Sequence, residues 1–134
     1  MKAITRVLFH PITICFLFCF LLISGELNAA FYIFILLLGL PHGVLHSLLG
    51  IIGIILMMWS LFIQRKQQVY SLRIFGAVCF LLSLIRFFTQ PGGSYNYPTF
   101  HQTVPLIILS VFLVLVMLSI ISYSRRLMNL RHSV

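Results

Sequence analysis

Residues 104–123 read VPLIILSVFLVLVMLSIISY, an apolar run without a charged side chain that Arg125 and Arg126 closely follow. About 20 mostly apolar residues suffice to cross the hydrocarbon core of a bilayer as a helix. Pro105 suits the first turn of such a helix, where a backbone N–H has no helical partner. The stretch therefore predicts a membrane-spanning helix that ends at a basic cluster.

Three other stretches, residues 8–24, 43–63 and 71–88, have the same apolar character. The whole chain is 61% hydrophobic and 7% charged, a composition that could not keep a globular surface hydrated. We therefore expect an all-α integral membrane protein, with residues 1–134 forming one polytopic domain. Its four spans, at about 8–24, 43–63, 71–88 and 104–123, would form a four-helix bundle.

The basic residues fall almost entirely into three clusters, which give the chain a formal net charge of +8. They are Lys2 and Arg6; Arg65, Lys66 and Arg73; and Arg125, Arg126 and Arg131. Four crossings place all three clusters on one side, which the positive-inside rule predicts to be the cytoplasmic side of a bacterial inner membrane, with both termini cytoplasmic. Because the clusters stand at the ends of apolar runs, we expect anionic lipid headgroups as their partner and no nucleic acid.

A further apolar stretch at residues 29–40 precedes the sequence Pro41-His42-Gly43. If it formed a fifth full crossing, the first and last basic clusters would lie on opposite sides of the membrane. The stretch is therefore expected to form a short re-entrant or interfacial helix on the outer side, or a kinked outward extension of the second span. Proline disfavours helical geometry at the residue before it, so we expect a break at residues 40–43.

Several ionisable residues fall at the predicted outer ends of the spans, namely Glu26, His42, His46, Arg86 and His101. Such groups at membrane depth are candidates for function. Glu26 is the only acidic residue, so Arg86 is its predicted ion-pair partner, or the two form the second shell of a metal site.

His42 and His46 stand four residues apart, which places both rings on one helix face if the helix begins by residue 42. With His101 as a third ligand, this set would suit a transition metal, and a haem could fit beside the histidines. The sequence leaves the cofactor unknown. A proton or ion path through the same groups is a further alternative.

Small residues at helical spacing favour a structural interpretation of the same region, since they let two membrane helices approach closely. They are Gly39, Gly43, Ser47, Gly50 and Gly53. In this interpretation, which the pattern favours over a metal site, the histidines form hydrogen bonds between helices.

Signatures of enzymes are scarce in this chain. It has no Asp and one Glu, so it lacks the pair of carboxylates that general acid–base work uses. The sequence contains no G-x-S-x-G, Walker or H-E-x-x-H motif. A non-enzymatic role is therefore favoured, although the sequence does not decide the matter.

Two resemblances concern the region around the histidines. Residues 39–46, GLPHGVLH, are similar to the G-x-P-H-G-x-x-D-H stretch of membrane-bound bacterial beta-carotene cleaving dioxygenases, whose histidines hold iron. His46 stands where that pattern has Asp and Ser47 where it has His, so the resemblance implies an iron ligand only at His42. Residues 46–76 are similar in layout to small four-helix bacterial membrane proteins of unknown function, which implies a fold but no activity.

Taken together, these features predict a small non-enzymatic integral membrane protein that acts through protein–protein interaction, as an accessory or assembly subunit of a larger membrane complex. Other membrane subunits would then be its partners. The alternatives are a haem- or metal-binding redox protein with a histidine cluster at the outer face, and an ion or proton conductor.

Overall fold

The computed structural model describes residues 7–25, 29–91 and 96–132, with side chains as far as residue 130. Glu26 and the first basic cluster lie outside the described residues. The described elements are, in chain order, α1 (Pro11–Cys19), β1 (Leu22–Ser24), β2 (Ala29–Phe31), α2 (Tyr32–Gly39), α3 (Leu45–Trp59), α4 (Lys66–Thr89), α5 (Pro98–His101) and α6 (Thr103–His132).

The protein is mostly helical, and two of its helices are long and apolar enough to cross a membrane. These are α4, with a mean hydropathy of 1.8, and the segment Thr103–Leu130 of α6, with a mean hydropathy of 3.1. α3 is also apolar but has only 15 residues. Length and composition thus support two of the four predicted spans.

Hydrogen bonds between distant segments define one end of the bundle, which we call the His46 end. The ring Nδ1 of His46, in the first turn of α3, lies 3.1 Å from Oε1 of Gln90, which follows α4. At the same end, the backbone N–H of Ser24 in β1 donates to Oγ1 of Thr99 in α5 over 2.9 Å. The start of α3, the end of α4, the β-hairpin and α5 therefore lie together.

The opposite end of the bundle, which we call the Arg73 end, is defined in the same way. Arg73 Nε, near the start of α4, donates to Oγ of Ser60, which follows α3, over 3.1 Å. Tyr123 Oη of α6 donates to the carbonyl of Phe9, before α1. The chain thus passes between the two ends four times, through residues 9–24, α3, α4 and α6.

Aromatic packing joins α1 to the long helices in the middle of the bundle. The Phe18 ring of α1 stacks on Phe80 of α4 with 4.1 Å between centroids, and lies 5.7 Å from the ring of Phe112 in α6. All three side chains are almost wholly buried. Close packing of these aromatic rings therefore holds α1 against α4 and α6.

The first predicted span is only partly helical. α1 ends at Cys19, and Leu22–Ser24 pairs antiparallel with Ala29–Phe31, so that Leu22 faces Phe31 and Ser24 faces Ala29. Residues 8–24 were expected to be one helix, and the all-α prediction is wrong at this point. The physical reason is that hydrogen bonds to Ala29–Phe31, along one edge of this segment, take the place of helical hydrogen bonds.

The other predicted boundaries also differ in detail. Residues 29–40 contain strand β2 followed by α2, which ends at Gly39, and α3 begins only at Leu45. The expected break at residues 40–43 lies between these helices, and Gly43 adopts a φ of 64°, in the left-handed region that favours glycine. α4 begins five residues before the predicted third span, and α6 continues beyond residue 123 to His132.

Candidate functional site

His46 is the best-buried of the described ionisable side chains that the sequence singled out. It lies in the first turn of α3, whose N-cap Val44 offers no side-chain hydrogen bond, and only 4% of its surface is exposed. Its ring packs edge-on against Phe87, with 5.1 Å between centroids, and lies 6.4 Å from the ring of Tyr32. The imidazole is therefore enclosed by α2 and α4.

The hydrogen bond between His46 and Gln90 determines which ring nitrogen of His46 is a donor. Because Oε1 of Gln90 is an acceptor, Nδ1 of His46 donates over their 3.1 Å separation. In the neutral ring Nε2 then keeps a lone pair. Nε2 is buried, and no described residue forms a hydrogen bond with it. The hydroxyl of Ser47 is buried in the same manner, without a partner in the described part of the chain.

Ser83 of α4 links the backbone of α3 to the side chain of Tyr32 in α2. Its Oγ donates to the carbonyl of His46 over 2.7 Å and lies 3.0 Å from the Tyr32 hydroxyl. Since the Ser83 proton goes to the carbonyl, the Tyr32 hydroxyl is the donor to Ser83 Oγ. We call Tyr32, His46, Ser83 and Gln90 the polar cluster; it ties three helices together at the His46 end.

A second set of buried polar contacts holds the hairpin to the start of α6. Oγ1 of Thr99 accepts from Ser24 N–H and donates to the Ser24 carbonyl over 3.1 Å, while Ser24 Oγ donates to Oε1 of Gln102 over 2.7 Å. Both Ser24 and Thr99 are almost fully buried. This site could not be recognised in the sequence, because short polar residues in a turn-rich loop carry no periodic signal.

The three histidines proposed as metal or haem ligands are not brought together. His42 precedes the start of α3, so the premise that it shares a helix face with His46 is wrong; it is exposed, and its Nδ1 donates to the Leu38 carbonyl over 3.0 Å. His101 is exposed at the end of α5. Among the described residues, no group of three or more His, Cys, Asp or Glu side chains could hold a metal ion.

The predicted ion pair between Glu26 and Arg86 involves a residue outside the described part of the chain. Arg86 itself lies in the last turn of α4, at the His46 end, with an exposed side chain. Within the described residues it has no ion pair or hydrogen bond. Its position agrees with the predicted helix end, while its pairing stays a prediction.

The glycines proposed for helix packing occupy different environments. A Cβ added to Gly39 would collide with Oγ of Ser47, and one added to Gly50 would lie 2.7 Å from Cδ2 of Leu36, far inside van der Waals contact. These sites hold α2 against α3. Around Gly43, by contrast, a Cβ would meet no atom within 4 Å, so this residue serves the turn and not helix packing.

The crossing of α3 and α4 depends on Gly53. A Cβ there would lie 2.7 Å from Cδ1 of Phe80 and 3.0 Å from the carbonyl oxygen of Gly76. Gly76 was not among the residues proposed for packing. The signal for it was present, since a small residue in the middle of an apolar helix allows close approach of a neighbour.

The polar cluster links α2, α3 and α4 through hydrogen bonds. The described cluster contains no carboxylate, and the hydroxyl proton of Ser83 points at a backbone carbonyl and not at the His46 imidazole. A serine nucleophile would need that proton within reach of a base. The hydrogen bonds instead satisfy buried polar groups and fix the mutual position of α2, α3 and α4.

Comparison of the chain with protein-family models, with curated proteins and with solved structures gave no match. The function is therefore argued from the chain's own residues and their geometry.

Proposed function

We propose that this protein is a small, non-enzymatic integral membrane protein that crosses the bilayer four times and acts as an accessory or assembly subunit of a larger membrane complex. The observation that carries the proposal is an exposed apolar face along α3. The exposed side chains of that face recur every three or four residues: Leu45, Leu48, Ile52, Ile55 and Trp59. A stripe at this spacing occupies one side of a helix.

Four crossings are supported by the four passages of the chain between the His46 end and the Arg73 end. The passage through residues 9–24 combines a helix and a strand. The nine residues of α1 extend about 14 Å at 1.5 Å per residue, and β1 adds about 10 Å at 3.3 Å per residue. Pairing with β2 satisfies backbone groups along one edge of β1, and Thr99 bonds both the N–H and the carbonyl of Ser24. These bonds reduce the number of free backbone groups, which the interior of a bilayer penalises.

The orientation follows from the distribution of basic side chains over the two ends. Arg65, Lys66 and Arg73 belong to the start of α4 and Arg125 and Arg126 follow Tyr123, all at the Arg73 end. At the His46 end, α4 carries only Arg86 among its last residues. The positive-inside rule supports a cytoplasmic Arg73 end, with both termini cytoplasmic, in a bacterial inner membrane.

A partner protein on α3 is favoured because this helix is short. Its 15 residues extend about 22 Å, whereas the hydrocarbon core of a bilayer is about 30 Å thick. A short apolar helix is accommodated by thinning of the bilayer or by association with other helices. The exposed stripe supplies the surface for such association, so the partner is expected to be a membrane subunit that packs along α3.

The test is to place a photo-crosslinking amino acid at Ile52 or Ile55 in the native membrane, with the same substitution at Val111 and Val114 as a control on the exposed face of α6. We expect a discrete protein adduct from the α3 positions only. The double variant Ile52→Ala and Ile55→Ala should also lose the complex on a native gel, whereas Val111→Ala and Val114→Ala should retain it. A monodisperse monomer in mild detergent, with no partner and no adduct from α3, would refute the proposal.

A further inference from the structure

A groove opens on the surface at the Arg73 end, where α6 meets the segment before α1. It encloses about 310 Å³. Its lining combines apolar and basic side chains: Phe9, Leu118, Ile121, Ser122, Arg125 and Arg126. The groove is separate from the polar cluster, which lies at the other end of the bundle.

The spacing of the α6 residues explains how one helix forms most of this groove. Leu118, Ile121, Ser122 and Arg125 follow each other at intervals of three, one and three residues, which places them on a single helix face. The Tyr123 hydroxyl donates to the carbonyl of Phe9 and so holds the segment before α1 against α6. The groove is thus formed between two segments that a hydrogen bond holds together, with Phe9 on one side and α6 on the other.

The basic part of the groove is available to an anion. Arg125 and Arg126 have exposed side chains, and neither forms a hydrogen bond or ion pair with any described residue. Arg73 at the same end is engaged differently, since it donates to Ser60 and its guanidinium carbon lies 5.6 Å from the centre of the Tyr123 ring. A guanidinium group binds phosphate through two parallel N–H donors.

The apolar part of the groove continues from the arginines towards the middle of α6. Leu118 and Ile121 are 47% and 45% exposed. They lie about two turns and about one turn before the arginine pair. A basic rim that joins an apolar channel matches a molecule with an anionic head and a hydrocarbon tail. Because the groove is basic at one end and apolar along its length, it favours an amphiphile over a purely polar anion.

We propose that this groove binds one anionic phospholipid molecule. Arg125 and Arg126 hold its phosphodiester, the hydroxyl of Ser122 donates a further hydrogen bond, and an acyl chain lies along Leu118 and Ile121. This inference rests on the membrane location given under the proposed function. It adds a specific headgroup site to the general attraction between basic clusters and an anionic leaflet.

The experiment compares lipid binding by the full chain in mild detergent, using native mass spectrometry with phosphatidylglycerol or phosphatidylcholine added at equal concentration. Wild type is expected to retain phosphatidylglycerol preferentially. The variant Arg125→Gln with Arg126→Gln should bind it roughly thirtyfold more weakly, because each basic group near an anionic lipid surface contributes about 1 kcal/mol of attraction and each 1.4 kcal/mol changes Kd about tenfold. The matched variant Arg65→Gln with Lys66→Gln removes the same charge at the same end but outside the groove, and should bind as wild type does.

The apolar half of the site has its own control. Leu118→Ala with Ile121→Ala should weaken binding several-fold, whereas Val104→Ala with Ile107→Ala, at exposed positions near the start of α6, should not. Millimolar inorganic phosphate should fail to displace the lipid. Displacement by phosphate would assign the groove to a free anion, and equal losses in both charge variants or equal binding of both lipids would leave only general electrostatic attraction; each of these results overturns the proposal.

Extraction of cell membranes with alkaline carbonate separates this inference from the proposed function. If wild type is washed out of the membrane, the proposed membrane location fails. If wild type stays in the membrane but binds lipids without the preferences above, only the lipid site fails.

Discussion

Gly53 of α3 and Gly76 of α4 face each other across the helix crossing, and a Cβ added to either would lie 3.0 Å from the carbonyl oxygen of the other. The contact is therefore reciprocal and joins backbone to backbone. Backbone cannot move aside as a flexible side chain can, so the separation of α3 and α4 is set by the lack of side chains at these two positions. This crossing carries the polar cluster at one end and the Arg73–Ser60 hydrogen bond at the other.

The first prediction concerns this crossing. Gly53→Val should destabilise the protein by about 2 kcal/mol, the usual range for forcing extra methyl groups into a packed interface, because its Cβ would also meet Phe80 at 2.7 Å. Ser110→Val places the same side chain at an exposed position of α6 and should have little effect. Thermal unfolding in detergent, followed by circular dichroism, compares the two. Equal unfolding temperatures for both variants would show that α3 and α4 are not closely packed there.

The contact between α3 and α4 shows which parts of the fold can be predicted from the sequence. The small residues of α3 indicated a packing face because helical periodicity is a local property of the chain. Gly76 was not identified as the opposing residue, since no local pattern states which helix lies opposite. The apolar runs that became α4 and α6 were recognisable for the same local reason.

The misjudged elements depend on contacts between distant residues. Leu22–Ser24 is as apolar as the helix before it, and only its pairing with Ala29–Phe31 makes it a strand. His42 and His46 have helical spacing, but Gly43 at a φ of 64° separates them by a turn. Pro41 indicated that break, but the sequence did not show where α3 would begin.

The second prediction concerns Gly43 itself. Gly43→Ala should destabilise the protein by about 1 kcal/mol, because residues with a Cβ pay about that much for left-handed backbone geometry. Open space surrounds the position, so steric collision is not the cause. Gly43→Asn should be tolerated better, since asparagine adopts this conformation more readily. If alanine and asparagine had the same effect on the unfolding temperature, the backbone at residue 43 would not be left-handed.

The third prediction addresses the link between Tyr32 and Ser83. Tyr32→Phe should destabilise the protein by about 1 kcal/mol, as expected for one buried hydrogen bond. Ser83→Ala should have a larger effect because it also leaves the His46 carbonyl without its donor. The double variant should be destabilised by less than the sum of the two single effects, with a difference of about 0.5 kcal/mol or more. Tyr97→Phe, at an exposed tyrosine, is the control; strict additivity would show that Tyr32 and Ser83 do not interact.

The fourth prediction separates the roles of the two histidines that the sequence grouped together. His46→Ala should destabilise the protein by about 2 kcal/mol, because it removes a buried side chain packed on Phe87 and bonded to Gln90. His42→Ala, at an exposed turn position, should change stability by less than about 0.5 kcal/mol. The absorption spectrum and metal content of both purified variants complete the comparison. If wild type showed a Soret band or stoichiometric metal that both substitutions abolish, His42 and His46 would share a ligand site after all.

The last prediction tests the number of crossings with single cysteines in a background where Cys15, Cys19 and Cys79 are replaced by alanine. Four crossings place His10 and Gln64 on the cytoplasmic side and Thr103 on the outer side. In intact cells a membrane-impermeant maleimide should therefore label Thr103→Cys, and should label His10→Cys and Gln64→Cys only after permeabilisation. If residues 29–40 crossed the membrane fully, His10 and Gln64 would lie on opposite sides, because one additional crossing would separate them. Labelling of just one of these two positions in intact cells would thus refute the four-crossing topology and, with it, the common cytoplasmic location of the basic clusters at the Arg73 end.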